Sequence, residues 1–167
     1  RQMTFDPREL LEVLPKMDPE QRLEVERLLR VCTPRWVPQP GPQTEAMETQ
    51  ADIVFYGGQA GGGKSELLLG LALTRQEKSI LFRRQAVQLV GLEERMATIL
   101  GTRDGYNSQT GLWRLPGNRT LEFGSVKDPD DWMKYQGRPH DAKLFDEICH
   151  FTEQQFRSLI GWMRTDN

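Results

Sequence analysis

The sequence predicts an α/β domain with a mostly parallel central sheet, built around a phosphate-binding loop. Three observations carry this reading. Residues Gly58-Gln59-Ala60-Gly61-Gly62-Gly63-Lys64-Ser65 fit the pattern Gly-x-x-x-x-Gly-Lys-Ser/Thr. An apolar run, Ile53-Val54-Phe55-Tyr56, precedes the loop and reads as a buried strand, and Glu66 to Leu73 follows it as a buried helix. Further on, Ala142-Lys143-Leu144-Phe145 reads as a strand that ends in two carboxylates, Asp146 and Glu147.

The loop's chemistry follows from its residue types. Glycines let the backbone curl so that successive N–H groups face an anion. A helix beginning near Gly63 adds the positive end of its dipole. Lys64 is then expected to reach the β- and γ-phosphates of a nucleotide, and the Ser65 hydroxyl to ligate Mg²⁺. An Asp at a strand end beside such a loop holds the same metal, which assigns Asp146. The next carboxylate, Glu147, is placed to polarise an attacking water.

Composition sets the frame. At 167 residues the chain suffices for one core. Charge is balanced, with 22 Lys+Arg against 24 Asp+Glu, so no global positive field marks a nucleic-acid binder, while a local patch remains open. Cys32 and Cys149 lack metal-ligand spacing and read as free thiols of an intracellular protein. The apolar runs are far shorter than the ~20 residues that span a bilayer, and no signal peptide is visible. The chain begins at Arg1 and stops at Asn167 just after an apparent helix, so a fragment of a longer protein is expected.

In chain order, residues 1–35 read as a separate helical arm, with helix starts at Asp6-Pro7 and Asp18-Pro19-Glu20. Leu23, Leu28 and Leu29 form the apolar stripe of the second helix. Residues 33–43 carry four prolines, which stiffen an extended segment. It is either a plain linker or the flank of a nucleotide base. Gln43 carries the donor and acceptor needed to read adenine, with Gln39 as competitor. Residues 44–51 read as a short helix. Ser79 to Arg84 reads as a strand whose terminal arginines, Arg83 and Arg84, either sense phosphate, touch a partner or sit on the surface. Residues 86–100 form a helix with Val87, Leu89, Val90, Met96, Ile99 and Leu100 as its apolar set. Residues 105–126 read as a β-hairpin turning at Pro116-Gly117-Asn118. A short helix capped by Asp128 covers 128–136. A last helix, 152–163, has Thr152 as N-cap and Phe156, Leu159, Ile160 and Met163 as its packing face. His140 and His150 read as surface or capping residues.

Taken together, Trp36-Val37-Pro38-Gln39-Pro40-Gly41-Pro42-Gln43 and the phosphate loop resemble the large terminase subunit of tailed bacteriophages. Tyr135-Gln136-Gly137-Arg138, Leu144-Phe145-Asp146-Glu147 and Gly161-Trp162-Met163-Arg164-Thr165 extend the likeness, which covers most of residues 36–165. The resemblance implies an additional-strand, catalytic-glutamate ATPase core of RecA-like type over 36–167, with a β-hairpin insertion and the helical arm of 1–35 before it. It implies an ATP-driven motor that moves double-stranded DNA into a preformed capsid in the host cytoplasm. ATP and Mg²⁺ would be bound, and the portal protein and small terminase subunit would be partners of a homo-oligomeric ring. Gln43 would read adenine, Lys64 and Ser65 would bind phosphate and metal, Asp146 would hold the metal, and Glu147 would be the catalytic glutamate. Arg138 matches a position that in some terminases reaches the neighbouring subunit's nucleotide as an arginine finger, an effect worth about 10³ or more in rate. Some relatives carry an arginine inside the loop. Here those positions are Gln59, Ala60, Gly61 and Gly62, which favours Arg138 acting in trans. The chain stops before the family's coupling motif and nuclease domain, so it is not expected to cut DNA. Two other readings compete: a helicase, which needs further motifs, and an assembly module that binds ATP to fix subunit contacts with little turnover. Arg83, Arg84, Arg114 and Arg119 are the candidates for DNA contact.

Overall fold

The computed structural model describes residues 14–32 (backbone only over 26–32), 35–59 and 61–161. The chain divides into two compact units, Arg1–Arg35 and Trp36–Asn167. In the first, a single 3-10 turn at Leu14–Lys16 leads into helix α1, Pro19–Cys32. Asp18 caps it as its residue type predicts, its Oδ1 accepting from the backbone N–H of Glu20 at 3.0 Å and of Gln21 at 2.9 Å. Leu23 is exposed. The Asp6-Pro7 helix start and the side chains of Leu28, Leu29 and Cys32 lie outside the described residues.

The second unit is α/β, with one open sheet of five strands that is mixed rather than mostly parallel as expected. Helix α2 spans Pro42–Glu48 and helix α3, the helix after the glycine-rich loop, spans Lys64–Thr74. Strand β1, Lys78–Arg83, follows, then helix α4, Val90–Leu100. Strands β2 (Tyr106–Asn107), β3 (Leu112–Leu115) and β4 (Arg119–Ser125) come next, then β5 (Ala142–Phe145) and helix α5 (Glu153–Ile160). The order across the sheet is β2-β3-β4-β1-β5. β1 lies between β4 and β5 and runs parallel to both, while β2, β3 and β4 pair antiparallel. The expected hairpin therefore exists and supplies the antiparallel side of the sheet.

Period-two alternation in β1 divides the core. Leu81 faces one layer, with Leu121, Phe123 and Leu144 of the sheet and Leu67, Leu69, Ala72, Leu73, Leu92, Met96 and Leu100 of α3 and α4. Ile80 and Phe82 face the other, with Val126 and Leu159, and Trp132, Tyr135, Phe145 and Phe151 pack around them. Lys143, which interrupts the apolar run of β5, is half-buried and donates from Nζ to the Leu159 carbonyl near the end of α5. A helix's last carbonyls lack intrahelical partners, so a lysine is a suitable neighbour there. Burial holds its ammonium below its ordinary pKa.

Trp36 is buried against α3. A Cβ on Gly70 would lie 2.4 Å from the Trp36 ring. Ala outperforms Gly in a helix by about 1 kcal/mol, but here the methyl group has no room. Gly70→Ala is therefore expected to destabilise by about 1–3 kcal/mol, the range for overpacking. Thermal or urea unfolding checks it, and a stabilised variant would contradict the contact.

Several expectations need correction. Ile53-Val54-Phe55-Tyr56 is not a strand of the sheet. Ile53, Val54 and Phe55 are 54, 48 and 72% exposed, and the run has no ladder pairing. It is held through side chains instead: the Phe55 ring lies 6.3 Å from that of Phe156, and the Tyr56 hydroxyl is 3.5 Å from the Gly62 carbonyl oxygen. β5 is accordingly an edge strand. The helix expected at 44–51 starts earlier, at Pro42, because proline's fixed φ suits a first turn. The helix expected over 86–100 is a 3-10 turn, Ala86–Leu89, followed by α4, and Val87 and Val90 face solvent. Asp128 does not cap the next segment, a 3-10 helix at Asp131–Tyr135. Asp131 does the local bonding, its Oδ2 accepting from the Lys127 and Asp128 N–H groups at 3.0 Å each. Thr152 caps α5 through a reciprocal capping box with Gln155. That helix ends at Ile160, and Met163 lies outside the described residues. Among the described residues no helix is long and apolar enough to cross a membrane.

Candidate functional site

Gly63 is the N-cap of α3 and has a φ of 71°, a conformation that strains any residue with a Cβ. Before it, Gly58 and Gly61 also have positive φ, and the Gly62 N–H donates to the Gln59 carbonyl at 3.2 Å, closing a turn. Lys64 folds back over this turn. Its Nζ donates to the carbonyl oxygens of Gly58 at 2.9 Å and Gln59 at 2.7 Å. The lysine ammonium is thus held inside the loop by the loop's own backbone. Ala60 lies outside the described residues.

The two carboxylates at the end of β5 have different surroundings. Asp146 is buried, and its Oδ2 accepts three hydrogen bonds. Ser65 Oγ donates at 2.9 Å, Arg83 Nε at 2.9 Å and Arg83 Nη2 at 2.7 Å. The Ser65 bond joins residues 81 apart in sequence. β1 and β5 run parallel and in register, Phe82 beside Phe145, so Arg83 ends one strand where Asp146 follows the other. The Asp146 N–H continues the ladder onto the Phe82 carbonyl at 3.0 Å. Ser65 Oγ and Asp146 Oδ2 are hard oxygen donors, and Mg²⁺ takes one or two carboxylates plus phosphate oxygens and water. The pair fits such an ion. Arg83 already neutralises the carboxylate and would share or yield that oxygen. Among the described residues no cluster of three or more His, Cys, Asp and Glu side chains could hold a metal by itself.

Glu147 projects differently. Its φ of 55° is left-handed, unusual for a residue with a long side chain, and its side chain is 41% exposed. Its carboxylate lies 3.6 Å from Arg83 Nη2 and 3.2 Å from His150 Nδ1. Arg84 Nη1 donates to the His150 carbonyl at 2.8 Å, fixing the short turn that carries that histidine. Arg83 therefore touches both carboxylates, and neither Arg83 nor Arg84 stands free at the strand end.

Gln43 is 2% exposed, with both functions of its amide engaged: Nε2 donates to the Gly63 carbonyl at 3.0 Å and Oε1 accepts from the Gln39 N–H at 2.8 Å. It lies against the loop's last glycine. Gln39 itself is exposed.

Arg138 belongs to another cluster. Its Nη1 lies 2.6 Å from Glu122 Oε1 and its guanidinium stands 5.6 Å over the Tyr135 ring. Glu122 also bonds His140 Nε2 at 3.2 Å. Burial pushes the Glu122 carboxyl up, but His140 and Arg138 more than offset it and hold the group below its ordinary range. Glu122 is level with Ile80 in the sheet, below the strand ends that carry Arg83 and Asp146. Within one chain Arg138 is thus brought to Glu122 rather than to the glycine-rich loop, and its side chain remains 52% exposed. His140, expected as a surface or capping residue, is instead buried, with its ring against Glu122. His150 is exposed, as expected. Arg114 and Arg119 flank the hairpin turn, Arg119 beside Leu115 and Arg114 beside Thr120. Thr120 pairs with Lys78 at the start of β1, so these two arginines lie at the opposite end of the sheet from Arg83.

Glu122 escaped the sequence reading. Its signal was a carboxylate between Leu121 and Phe123 in an alternating strand, which puts a charge on a face that also packs. No protein family, curated protein or solved structure matches the chain.

Proposed function

We propose that this chain is a Mg²⁺-dependent ATPase, the nucleotide-hydrolysing domain of a viral DNA-packaging motor of the large terminase type, with the additional-strand, catalytic-glutamate fold. The observation that carries the ATPase reading is the 2.9 Å bond from Ser65 to Asp146, which unites the loop's hydroxyl with the carboxylate ending a distant strand. The motor reading rests on the resemblance of the proline-rich segment, the phosphate loop and the Gly137-Arg138 and Asp146-Glu147 segments to terminases.

Lys64 and the first N–H groups of α3 hold the β- and γ-phosphates. Ser65 and Asp146 hold the metal, which when bound neutralises phosphate charge. Glu147, exposed beside the buried Asp146, orients water for in-line attack on the γ-phosphate and takes its proton. His150 and Arg83 hold that carboxylate in place. Arg138 serves a neighbouring subunit, exchanging Glu122 for the neighbour's phosphate. Double-stranded DNA, the portal protein and the small terminase subunit are the partners.

The experiment is steady-state ATP hydrolysis against protein concentration for wild type and Arg138→Ala. Turnover per subunit is expected to rise with concentration and to fall on the order of 10³-fold in the variant. A rate independent of concentration and of Arg138 overturns the trans assignment. One observation favours a second reading, a nucleotide-gated assembly module. Arg83 spans Asp146 and Glu147 and restrains both, which suits a site that binds without rapid turnover.

A further inference from the structure

We infer that Gln43 is a positioning residue that sets the conformation of the phosphate loop rather than the group that reads the nucleotide base. The inference rests on the reading of residues 58–65 as a phosphate site. Base reading needs an amide edge open to a ligand, and at 2% exposure Gln43 presents none. An amide can make more than two hydrogen bonds. What removes Gln43 from the base is that its amide is buried as well as engaged.

The bonds it makes bear on the loop. Its Nε2 donates to the Gly63 carbonyl, which also accepts the first helical bond of α3, from Leu67 N–H at 2.9 Å. The Gly63 carbonyl and the Lys64 N–H belong to one planar trans peptide and point in opposite directions. Fixing that oxygen from one side therefore aims the Lys64 N–H, one of the unpaired donors at the start of α3, toward the other. Gly63 also gives Gln43 its room, since a Cβ there would lie 2.3 Å from Gln43 Nε2.

Gln43 is itself braced. Its Oε1 holds the Gln39 N–H, and the Thr44 hydroxyl donates to the Gln39 carbonyl at 3.0 Å. At the other end of the proline-rich segment, the Trp36 ring packs on Gly70, two turns along α3 from Gly63. The stiff segment is thus fastened to the helix at both ends, and Gln43 is the fastening at the phosphate end.

The test is equilibrium binding of ATP, GTP and inorganic tripolyphosphate, each with Mg²⁺, to wild type and Gln43→Met, which keeps the volume and loses both bonds. All three ligands are expected to weaken together, by about tenfold for one aimed donor. The Kd values, rather than the fraction of active protein, carry the answer, because simple destabilisation lowers the number of sites and leaves their affinity. Should Gln43→Met fail to fold, Gln43→Glu keeps the acceptor for Gln39, and its ATP-to-GTP ratio is expected to equal that of wild type. Weakening confined to ATP would make Gln43 the base reader and overturn the inference, as would no weakening of any ligand. A wild type that binds none of the three overturns the phosphate-loop reading, and the inference with it.

Discussion

Lys64→Ala is expected to remove ATP binding, with a loss of about 100-fold or more in affinity. The Lys64 ammonium stands within the loop, donating to the Gly58 and Gln59 carbonyls at 2.9 and 2.7 Å. Exchanging those carbonyls for phosphate oxygens replaces neutral acceptors by charged ones, and hydrogen bonds to charged groups contribute about 1.5–3 kcal/mol each. Two such bonds correspond to a loss of about 10²–10⁴-fold. The substitution also removes the loop's internal tether, so the free loop should loosen as well. The bonds that Lys64 makes are to the loop, while the core side of α3 is filled by Leu67 and Leu69, so the unfolding midpoint should change little. Calorimetric titration with ATP, alongside a melting curve, separates the two effects. Undiminished ATP affinity in Lys64→Ala would remove the lysine from the site.

Glu147→Ala should leave ATP bound and lower its hydrolysis by about 10²–10⁴-fold, the usual contribution of a positioned general base. The contrast with Asp146 is the reason. Three donors converge on Asp146 Oδ2, and the group is buried, so it is committed to holding charge in place. Glu147 is exposed and has only looser neighbours, at 3.2 Å and 3.6 Å. Its left-handed backbone turns it away from the strand direction. Glu147→Gln keeps the side chain's size and shape and removes only the basic carboxylate, so it is the better matched control and should fail equally in hydrolysis. Single-turnover hydrolysis with bound nucleotide measured in parallel reads both quantities. Normal hydrolysis in both variants would pass the role to another group.

Much of this arrangement was legible in the residues, for reasons that differ by element. The loop, the helix after it and the β5 strand with its carboxylates were readable because each joins a strong local pattern to a chemical demand. The capping box of α5 is equally local: Thr152 and Gln155 satisfy each other within one turn. The run Ile53 to Tyr56 reads as a strand because its apolar, β-branched composition carries strand propensity, but a ladder partner is a tertiary property that propensity does not supply. One continuous helix over 86–100 would turn Val87 and Val90 inward. The 3-10 turn at Ala86–Leu89 changes the angular period and turns them out.

The site's wiring was harder to see than its members. Ser65, Asp146 and Glu147 were named from type and spacing, but the bridge that Arg83 makes between the carboxylates depends on the register of β1 against β5. Gln43 shows the same limit. Its amide suited a base as well as a backbone, and only burial against Gly63 distinguishes the two uses. Arg138 and His140 are drawn together by Glu122, a residue that gave no motif signal.

The central claim is that Ser65, Asp146 and Lys64 form one site for a magnesium nucleotide. Calorimetric titration of the wild-type chain with ATP, with and without Mg²⁺, tests it most directly. The account predicts saturable one-to-one binding that tightens at least tenfold with Mg²⁺, about 1.4 kcal/mol, as the metal draws on Ser65 and Asp146 together with phosphate oxygens. Absence of saturable binding, or binding indifferent to Mg²⁺, would contradict it.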